Sequence, residues 1–450
     1  MRPRSADTIA AIATAPGRGG VGVVRVSGDL AESICLGVAG AVPSPRRASF
    51  RSFGDAEGRT IDAGLVLFFP PPGSYTGEPV VEFQGHGSPQ ALAALLDRCI
   101  ELGARIARPG EFTERAFLND RLDLAQAEAV ADLIDAESRT AARAAIRSLS
   151  GEFSNAIRDL VAELESLRIM VEAAIDFPEE DIDVMADYQI GARVQDLMER
   201  LDGIFTRARL GQRLREGATV VLLGEPNVGK SSLLNRLAGE DLAIVTDVPG
   251  TTRDPIRGHI TLDGVPFHLV DTAGLRDSAD PVEREGIARS RAQASKADLA
   301  VLVLDARENA DAGFARLAAN ASLPERCIAV RNKIDLIGES ASSVERAGVT
   351  TVSVSAQTGE GLSLLREALL KAVDWEAGGG EGAFTARSRH LEALRRCREH
   401  LQSALSLIDV QTDLVAEELR YAMDAAGEIT GRKTADDLLG AIFASFCIGK

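Results

Sequence analysis

Several features that are common in proteins are missing from this 450-residue sequence, and each absence excludes a class of protein. No apolar run approaches the roughly 20 residues that span a bilayer as a helix. The residues before Asp7 lead into the chain without the apolar core of a signal peptide. The five cysteines form neither a CxxC pair nor a cluster with histidine, so neither a zinc site nor a disulfide framework is predicted. We therefore expect a cytoplasmic protein without a membrane segment.

A surplus of positive charge is missing as well, since the formal net charge is -17. Residues 1–121 hold 13 basic and 13 acidic side chains, whereas residues 122–214 hold 10 basic and 19 acidic ones. Proteins that grip phosphate backbones need clustered cations. The acidic middle of the chain therefore argues against this protein being the main surface for a nucleic acid, and a basic partner would have to supply that surface.

The length and the 45% hydrophobic content allow two or three domains, each with its own core. Residues 1–121 mix short β-rich runs with one helical pattern, which predicts an α+β domain. Apolar residues recur at helical spacing over 122–214 and again over 378–450, after a glycine-rich linker. Because these segments flank residues 215–377, we predict that the latter form a domain inserted into a helical bundle domain. Two independent bundles are the alternative.

A GxxxxGK[ST] loop runs from Gly224 to Ser231, directly after the strand-like run at 218–223. In this motif backbone N–H groups wrap phosphate oxygens, while Lys230 meets the terminal phosphates and Ser231 is a ligand of Mg2+. The strand, the loop and the following helical pattern together predict a P-loop nucleotide site.

A second motif specifies the base, because Asn332, Lys333 and Asp335 form an NKxD sequence after an apolar run. Asp335 would accept hydrogen bonds from N1–H and the exocyclic amine of guanine, whereas adenine would leave this carboxylate unpaired, a discrimination that can reach roughly 10⁴-fold. A DxxG sequence lies between the two motifs, and Thr252 is available as a second ligand of Mg2+. The predicted GTP-binding residues are Asn227, Val228, Gly229, Lys230, Ser231, Ser232, Thr246, Asp247, Val248, Pro249, Gly250, Thr251, Thr252, Asp271, Thr272, Ala273, Gly274, Asn332, Lys333, Asp335, Ser355 and Ala356.

Five further segments are distinctive, namely residues 7–25, 76–78, 84–87, 108–128 and the last five residues, 446–450. Together with the GTPase motifs they resemble the tRNA modification GTPase family, and the resemblance covers essentially the whole chain. The resemblance implies a multidomain α/β protein that combines an N-terminal α+β folate-binding-like domain, an α-helical bundle domain and an inserted P-loop GTPase domain of the Ras type. It also implies a carboxymethylaminomethyl-type modification at C5 of wobble uridines in certain tRNAs.

The resemblance further implies a homodimer through the N-terminal domain and a heterotetramer with a FAD-dependent partner subunit, which would grip most of the tRNA. It implies that 5-formyltetrahydrofolate or a related folate binds at Arg25, Glu82, Arg121 and Lys450. Arg121 stands where many family members have lysine, which keeps the charge and changes the hydrogen-bond geometry. Cys447 would lie close to this pocket, and a role in the modification chemistry and a packed thiol both stay open. The other four cysteines are expected to be small core residues.

Leu275 follows the DxxG sequence, so the glutamine that orients water in ordinary small GTPases is missing. The resemblance assigns this catalytic role to Glu283. It also implies that K+ replaces an arginine finger, bound by the side chain of Asn227 and the carbonyls of Thr246, Val248 and Thr251, and that pairing of GTPase domains activates hydrolysis. Pro249 stands where other members have a small residue, and it removes one N–H from this loop.

Two other functions compete with a modification enzyme. A GTPase switch of the ribosome-assembly type would have the same GTPase motifs, but such proteins usually carry a basic RNA-binding appendage, and the charge count shows none. A folate enzyme regulated by GTP, with no tRNA involved, is the third hypothesis.

Overall fold

The structure is a computed structural model that describes residues 7–176, 189–240, 256–271, 297–309, 312–316, 324–346, 348–375, 380, 382–408, 410–431, 436–444, 446 and 449. Contacts divide the chain into two compact units. Unit 1 comprises Met1–Ala131, Leu149–Met198 and Ala393–Lys450, and unit 2 comprises Asp132–Ser148 and Glu199–Glu392. A helix long and apolar enough to cross a membrane does not occur among the described residues.

The N-terminal part of unit 1 is built on a six-stranded sheet. Its elements are β1 (Ile9–Ile12), β2 (Gly19–Ser27), α1 (Ala31–Ala39), β3 (Ser49–Gly54), β4 (Thr60–Phe69), β5 (Val80–Gly87), α2 (Pro89–Glu101), β6 (Arg105–Ile106) and α3 (Glu111–Leu118). The strand order is β3-β4-β5-β2-β1-β6. Strand residues alternate between two faces, and buried side chains of one face, such as Val24, Val66 and Phe83, share a core with α1 and α2. The opposite face carries Arg25 and Glu82.

The described residues between 124 and 216 form the helices α4 (Leu124–Ile134), α5 (Arg139–Leu149), α6 (Glu152–Asp176) and α7 (Ile190–Glu216). A capping box begins α4, because Asp123 N–H donates to Gln126 Oε1 at 3.0 Å while Gln126 N–H donates to Asp123 Oδ1 at 2.9 Å. The reciprocal bonds satisfy two of the N–H groups that a helix start leaves open.

Unit 2 is built on a second sheet. Its elements are β7 (Ala218–Leu223), α8 (Lys230–Glu240), β8 (Ile256–Leu262), β9 (Val265–Asp271), β10 (Leu299–Asp305), β11 (Cys327–Asn332), a 3-10 turn (Ile334–Leu336), β12 (Ser342–Arg346), β13 (Val349–Val354) and α9 (Leu362–Ala372). The seven described strands have the order β12-β13-β11-β10-β7-β9-β8. The five strands β13, β11, β10, β7 and β9 are parallel, so their carboxyl ends meet at one edge.

The chain ends in α10 (Ser388–Leu407), α11 (Thr412–Thr430) and α12 (Asp436–Ala444). In unit 1, α11 packs along α6, so a helix that follows the GTPase motifs lies against one that precedes them. The two units cut across the domain boundaries predicted at residues 121, 214 and 377, which stay predictions. The largest difference concerns α5, which helical periodicity groups with the bundle but whose buried Ala141 and Ala144 join the core of unit 2.

Candidate functional site

The P-loop connects β7 to α8 through a tight turn in which two glycines are required. Gly229 has a φ of 96°, and a Cβ there would lie 2.3 Å from Asn332 Nδ2. A Cβ on Gly224 would lie 2.4 Å from the carbonyl oxygen of Val303. Asn227 also adopts a left-handed φ, 64°, which asparagine tolerates better than most residues. The loop therefore lies close to neighbouring strands and delivers the N-terminus of α8, where N–H groups and the helix dipole favour an anion.

Lys230, the first residue of α8, extends back over this loop. Its Nζ donates hydrogen bonds to the carbonyl oxygens of Gly224 and Glu225, both at 2.8 Å. Ser231 and Ser232 follow in the first turn of α8 and are exposed, whereas Val228 is buried. The loop thus presents one ammonium group and two hydroxyl groups at the carboxyl edge of the sheet, as the motif predicts for a phosphate site.

Asn332 connects three of the predicted nucleotide-binding segments. Its side chain is buried, and Nδ2 donates to the carbonyl oxygen of Val228 in the P-loop at 2.8 Å. Its Oδ1 accepts a hydrogen bond from the N–H of Ala356 at 2.9 Å. Ser355, which is also buried, closes the turn after β13 by accepting from Thr358 N–H at 3.1 Å. The P-loop, the NKxD segment and the Ser355–Ala356 loop therefore form one hydrogen-bonded assembly.

Lys333 holds a second connection, which the sequence motifs did not reveal. Its Nζ donates to Asn227 O at 2.6 Å and to Asp305 Oδ2 at 2.8 Å. Asp305, the last residue of β10, also receives two hydrogen bonds from the guanidinium of Arg307, at 2.9 and 2.8 Å. These bonds, first those from Arg307 and then that from Lys333, hold the pKa of the Asp305 carboxyl well below its ordinary value. The sequence does contain a signal for Asp305, because this aspartate directly follows the fully apolar run Leu299–Leu304. Such a run predicts a buried parallel strand, and binding-site residues of parallel sheets lie at the carboxyl ends of the strands.

Asp335 and Asp271 reach the same edge of the sheet from different strands. Asp335 lies in the 3-10 turn that follows β11 and its side chain is exposed, as a base-reading carboxylate must be. Asp271 is the last residue of β9, opposite Leu222 of β7 in the parallel register, and its side chain is outside the described part. The predictions for GTP binding and hydrolysis that lie wholly outside the described residues are Thr246, Asp247, Val248, Pro249, Gly250, Thr251, Thr252, Thr272, Ala273, Gly274 and Glu283.

Arg25 and Glu82, two of the predicted folate contacts, are direct neighbours on the face of the N-terminal sheet that is opposite the core with α1 and α2. They are opposite each other in the antiparallel pairing of β2 with β5, and Arg25 Nε donates to Glu82 Oε1 at 2.9 Å. The guanidinium of Arg25 lies 5.5 Å from the ring centroid of Tyr75 and 5.6 Å from that of Phe112. Two aromatic contacts therefore orient this cation, and neither Tyr75 nor Phe112 was identified from the sequence, because both are distant from Arg25 along the chain.

Arg121 is exposed and packs against the loop that carries Tyr75. Its Cγ lies 3.3 Å from the position that a Cβ of Gly77 would occupy, and Gly77 has a φ of 79°. Arg121 also lines a cavity of about 580 Å³, together with Asp123, Arg158 and neighbouring residues of unit 1. It thus lies beside the loop that borders Arg25.

The last described residue, Gly449, lies against β1, the strand next to β2. A Cβ on Gly449 would be 2.4 Å from the carbonyl oxygen of Ile12, and Ala11 is paired with Arg25. Gly449 therefore lies against the strand that pairs with the one carrying Arg25. Cys447 and Lys450 themselves are outside the described residues.

A buried ion-pair network holds the loops around this face. Arg115 donates to Glu78 Oε2 at 3.0 Å and to Glu111 Oε1 at 3.1 Å, while Arg105 donates to the same Glu111 carboxylate. Burial alone would raise the pKa of Glu111, but the hydrogen bonds from Arg105, the N–H of Arg108 and Arg115 lower it to about 2. The Glu111 carboxylate is consequently ionised and locked in place under all ordinary conditions.

Three of the four cysteines expected in cores are buried, namely Cys35, Cys99 and Cys397, and Cys327 is half-buried. Burial raises the pKa of Cys35 to about 11 and that of both Cys99 and Cys397 to about 12. These three thiols are therefore protonated and unreactive at neutral pH.

Comparisons with known proteins cover the full chain. A family model described as GTP-binding protein TrmE N-terminus matches residues 8–121, and one described as MnmE helical domain matches residues 124–447. The chain is 53% identical over 448 residues to a tRNA modification GTPase MnmE of Neisseria meningitidis, covering 98% of this chain and 99% of the relative. It is 52% identical over 451 residues to the protein of that name from Nitrosomonas europaea, covering 99% and 100%. Among solved structures, the G domain of the T. maritima FeoB iron transporter is 30% identical over 34% of this chain and 98% of that chain, with a TM-score of 0.27.

Proposed function

Because the chain belongs to the tRNA modification GTPase MnmE family, we propose that it hydrolyses GTP in the course of tRNA modification. The observation that supports GTP binding most directly is the assembly around Asn332, which joins the P-loop to the segment that carries Asp335 and to the Ser355–Ala356 loop. The phosphate-binding loop and the base-reading carboxylate thereby share one sheet edge. Guanine selectivity follows from Asp335, which pairs with two donors that adenine lacks.

In this proposal, phosphate binding, water positioning and Mg2+ coordination fall on residues of this chain. P-loop N–H groups and Lys230 bind the phosphates, and Glu283 orients the attacking water. The exposed hydroxyl of Ser231 in the first turn of α8 fits Mg2+, with Thr252 as the second protein ligand. Mg2+ supplies charge neutralisation at the phosphates when it is bound.

A monovalent K+ ion fits the other oxygen donors of the loop. The side chain of Asn227 is exposed at the turn of the P-loop, where its amide oxygen can be a ligand. The remaining donors in this proposal are carbonyls of Thr246, Val248 and Thr251. Pairing of two GTPase domains completes the site and activates hydrolysis.

The modification that we propose is a carboxymethylaminomethyl-type group at C5 of wobble uridines, formed with a FAD-dependent partner subunit in a heterotetramer.

A folate, 5-formyltetrahydrofolate or a relative of it, binds the N-terminal domain through Arg25, Glu82, Arg121 and Lys450. The oriented Arg25–Glu82 pair presents donors and an acceptor side by side, which suits the amide-like edge of a pterin ring. Homodimerisation is through the N-terminal domain, and the partner supplies most of the tRNA contact, consistent with the acidic helical segment.

The direct test is mass-spectrometric nucleoside analysis of tRNA from cells that express the wild type, a deletion or Asp335→Asn. We expect C5-modified wobble uridines to disappear in both altered strains. Asp97→Asn, at an exposed position of α2, is the matched control and should keep the modification. An unchanged nucleoside profile in the deletion would refute the proposal and favour the ribosome-assembly type of GTPase switch.

A further inference from the structure

The hairpin of β8 and β9 connects the two segments that are predicted to sense the terminal phosphate. β8 begins four residues after Thr252, and β9 ends at Asp271, where the DxxG sequence begins. The turn of this hairpin, Asp263–Gly264, is at the other end of both strands, roughly 20 Å from Asp271 at about 3.3 Å per strand residue. Displacement of either sensing segment along the strands must therefore reach this turn.

Helix α5 holds this turn directly. Ser138, at the start of α5, donates from Oγ to the carbonyl oxygen of Gly264 at 2.7 Å. A Cβ on Gly264 would lie 2.5 Å from Thr140 Oγ1, and its φ of 87° independently favours glycine. The backbone of the hairpin turn and the first turn of α5 are thus in contact without room for a side chain between them.

The same helix also holds the segment through which the chain leaves unit 2. Arg147 donates to the carbonyl oxygens of Ala383, at 2.6 Å, and Gly380, at 3.0 Å. Ser148 Oγ donates to Thr385 O at 3.2 Å. α5 is therefore anchored at its first turn to the hairpin and at its last turn to residues 380–385.

Chain connectivity gives these contacts their significance. Residues 132–148 belong to unit 2, whereas the residues before and after them, in α4 and α6, belong to unit 1. A hairpin that changes position with the bound nucleotide must either carry α5 with it or break the bond from Ser138. Both outcomes change the state of a helix that is covalently joined to unit 1 at both ends.

We propose that α5 is the output element of the GTPase, coupled to the nucleotide state through the bond between Ser138 and the β8–β9 turn. The proposal rests on the GTP-binding part of the proposed function and does not depend on which modification is made. One net hydrogen bond corresponds to roughly a fivefold change in an opening equilibrium. Hydrogen exchange of the α5 amides should therefore differ by about this factor between the GDP state and the state with a nonhydrolysable GTP analogue.

A pair of substitutions separates this coupling from helix capping, because Ser138 has two roles. Its Oγ also accepts a hydrogen bond from Ala141 N–H at 3.1 Å, as an N-cap. Ser138→Asp keeps a cap acceptor but cannot donate to Gly264 O, whereas Ser138→Ala loses both bonds. Thr206→Ala, which removes an exposed hydroxyl from α7, is the matched control.

The measurement is hydrogen exchange by mass spectrometry on the full-length protein with Mg2+ and K+, in the two nucleotide states. In the wild type and in Thr206→Ala we expect peptides covering 139–149 to differ about fivefold between states. In Ser138→Asp this difference should disappear. GTP affinity and hydrolysis should stay within about twofold of the wild type, because the hydrogen bonds of Ser138 within the described part of the chain go to Gly264 and Ala141 and to none of the predicted nucleotide-binding residues. Identical exchange of α5 in both states of the wild type, or an undiminished difference in Ser138→Asp, would overturn the proposal.

The nucleoside assay then distinguishes the two proposals from each other. If Ser138→Asp loses the nucleotide dependence of α5 together with the tRNA modification while it still hydrolyses GTP, both stand. If the exchange result holds and the deletion strain keeps its modified uridines, α5 is still the output element and the proposed function fails.

Discussion

Replacing Asn332 by alanine tests the central assembly of the nucleotide site. Asn332 is 1% exposed, and the substitution removes the partners of two groups, the Val228 carbonyl and the Ala356 N–H. Each orphaned buried group costs about 1–3 kcal/mol. We therefore expect the free energy of unfolding of unit 2 to fall by about 2–6 kcal/mol. Nucleotide affinity should fall at least about tenfold, because the P-loop and the Ser355–Ala356 loop lose their common anchor.

The protein contains a built-in probe for this measurement. Trp375 is the single tryptophan of the chain, and it is buried in the core of unit 2. Its fluorescence during urea unfolding therefore reports on this unit. With a slope of about 2 kcal/mol per molar urea, the midpoint should fall by about 1–3 M.

Asn235→Ala is the matched control, because Asn235 is exposed on α8, the helix that begins in the P-loop. Its unfolding midpoint and its affinity for a fluorescent guanine nucleotide should stay near those of the wild type. The reasoning would be refuted if Asn332→Ala unfolded at the wild-type urea concentration and bound the nucleotide as tightly as the wild type.

Three further predictions concern the ion, the buried network and the C-terminal segment. Replacing KCl by NaCl at equal ionic strength should slow GTP hydrolysis at least about tenfold, and equal rates would exclude K+ at Asn227. The pKa of Glu111, lowered to about 2 in the folded protein, gives stability that is complete above its ordinary value of 4.5 and is lost as the pH falls toward 2. Lowering the pH from 4.5 to 2 should thus reduce the free energy of unfolding of unit 1 by about 3 kcal/mol. Hydrogen exchange measures this free energy, and Glu111→Gln should not show this part of the loss. The Cβ of Gly449→Ala would lie 2.4 Å from Ile12 O, so this variant should bind folate at least about tenfold more weakly by calorimetry and still hydrolyse GTP. Gly440→Ala is the control and should bind folate normally, because no described atom lies within 4 Å of the position of its Cβ.

Much of the protein could be predicted from the sequence where function depends on short contiguous segments. The family and the multidomain α/β fold expected from the resemblance are confirmed by the comparisons. The P-loop is one turn between a strand and a helix, and its positive φ at Gly229 is a local requirement that the motif itself encodes. NKxD is equally local, since Asn332 and Asp335 are three residues apart on one strand end.

Tertiary structure alone decided the contacts that join distant parts of the chain. Asp305 supports Lys333, and Tyr75 and Phe112 flank Arg25, although each of these residues is far along the sequence from its partner. Helical periodicity assigned residues 122–214 to one helical segment, but periodicity cannot name the surface that covers the apolar face of each helix. Packing makes this choice, because the small buried side chains of Ala141 and Ala144 join the core of unit 2. The same fold brings Ser138 Oγ within hydrogen-bond distance of the carbonyl oxygen of Gly264. The sequence by itself thus determined which nucleotide this protein binds. The fold decided which element lies against the hairpin between the predicted phosphate-sensing segments, since only folding brings residues 138 and 264 together.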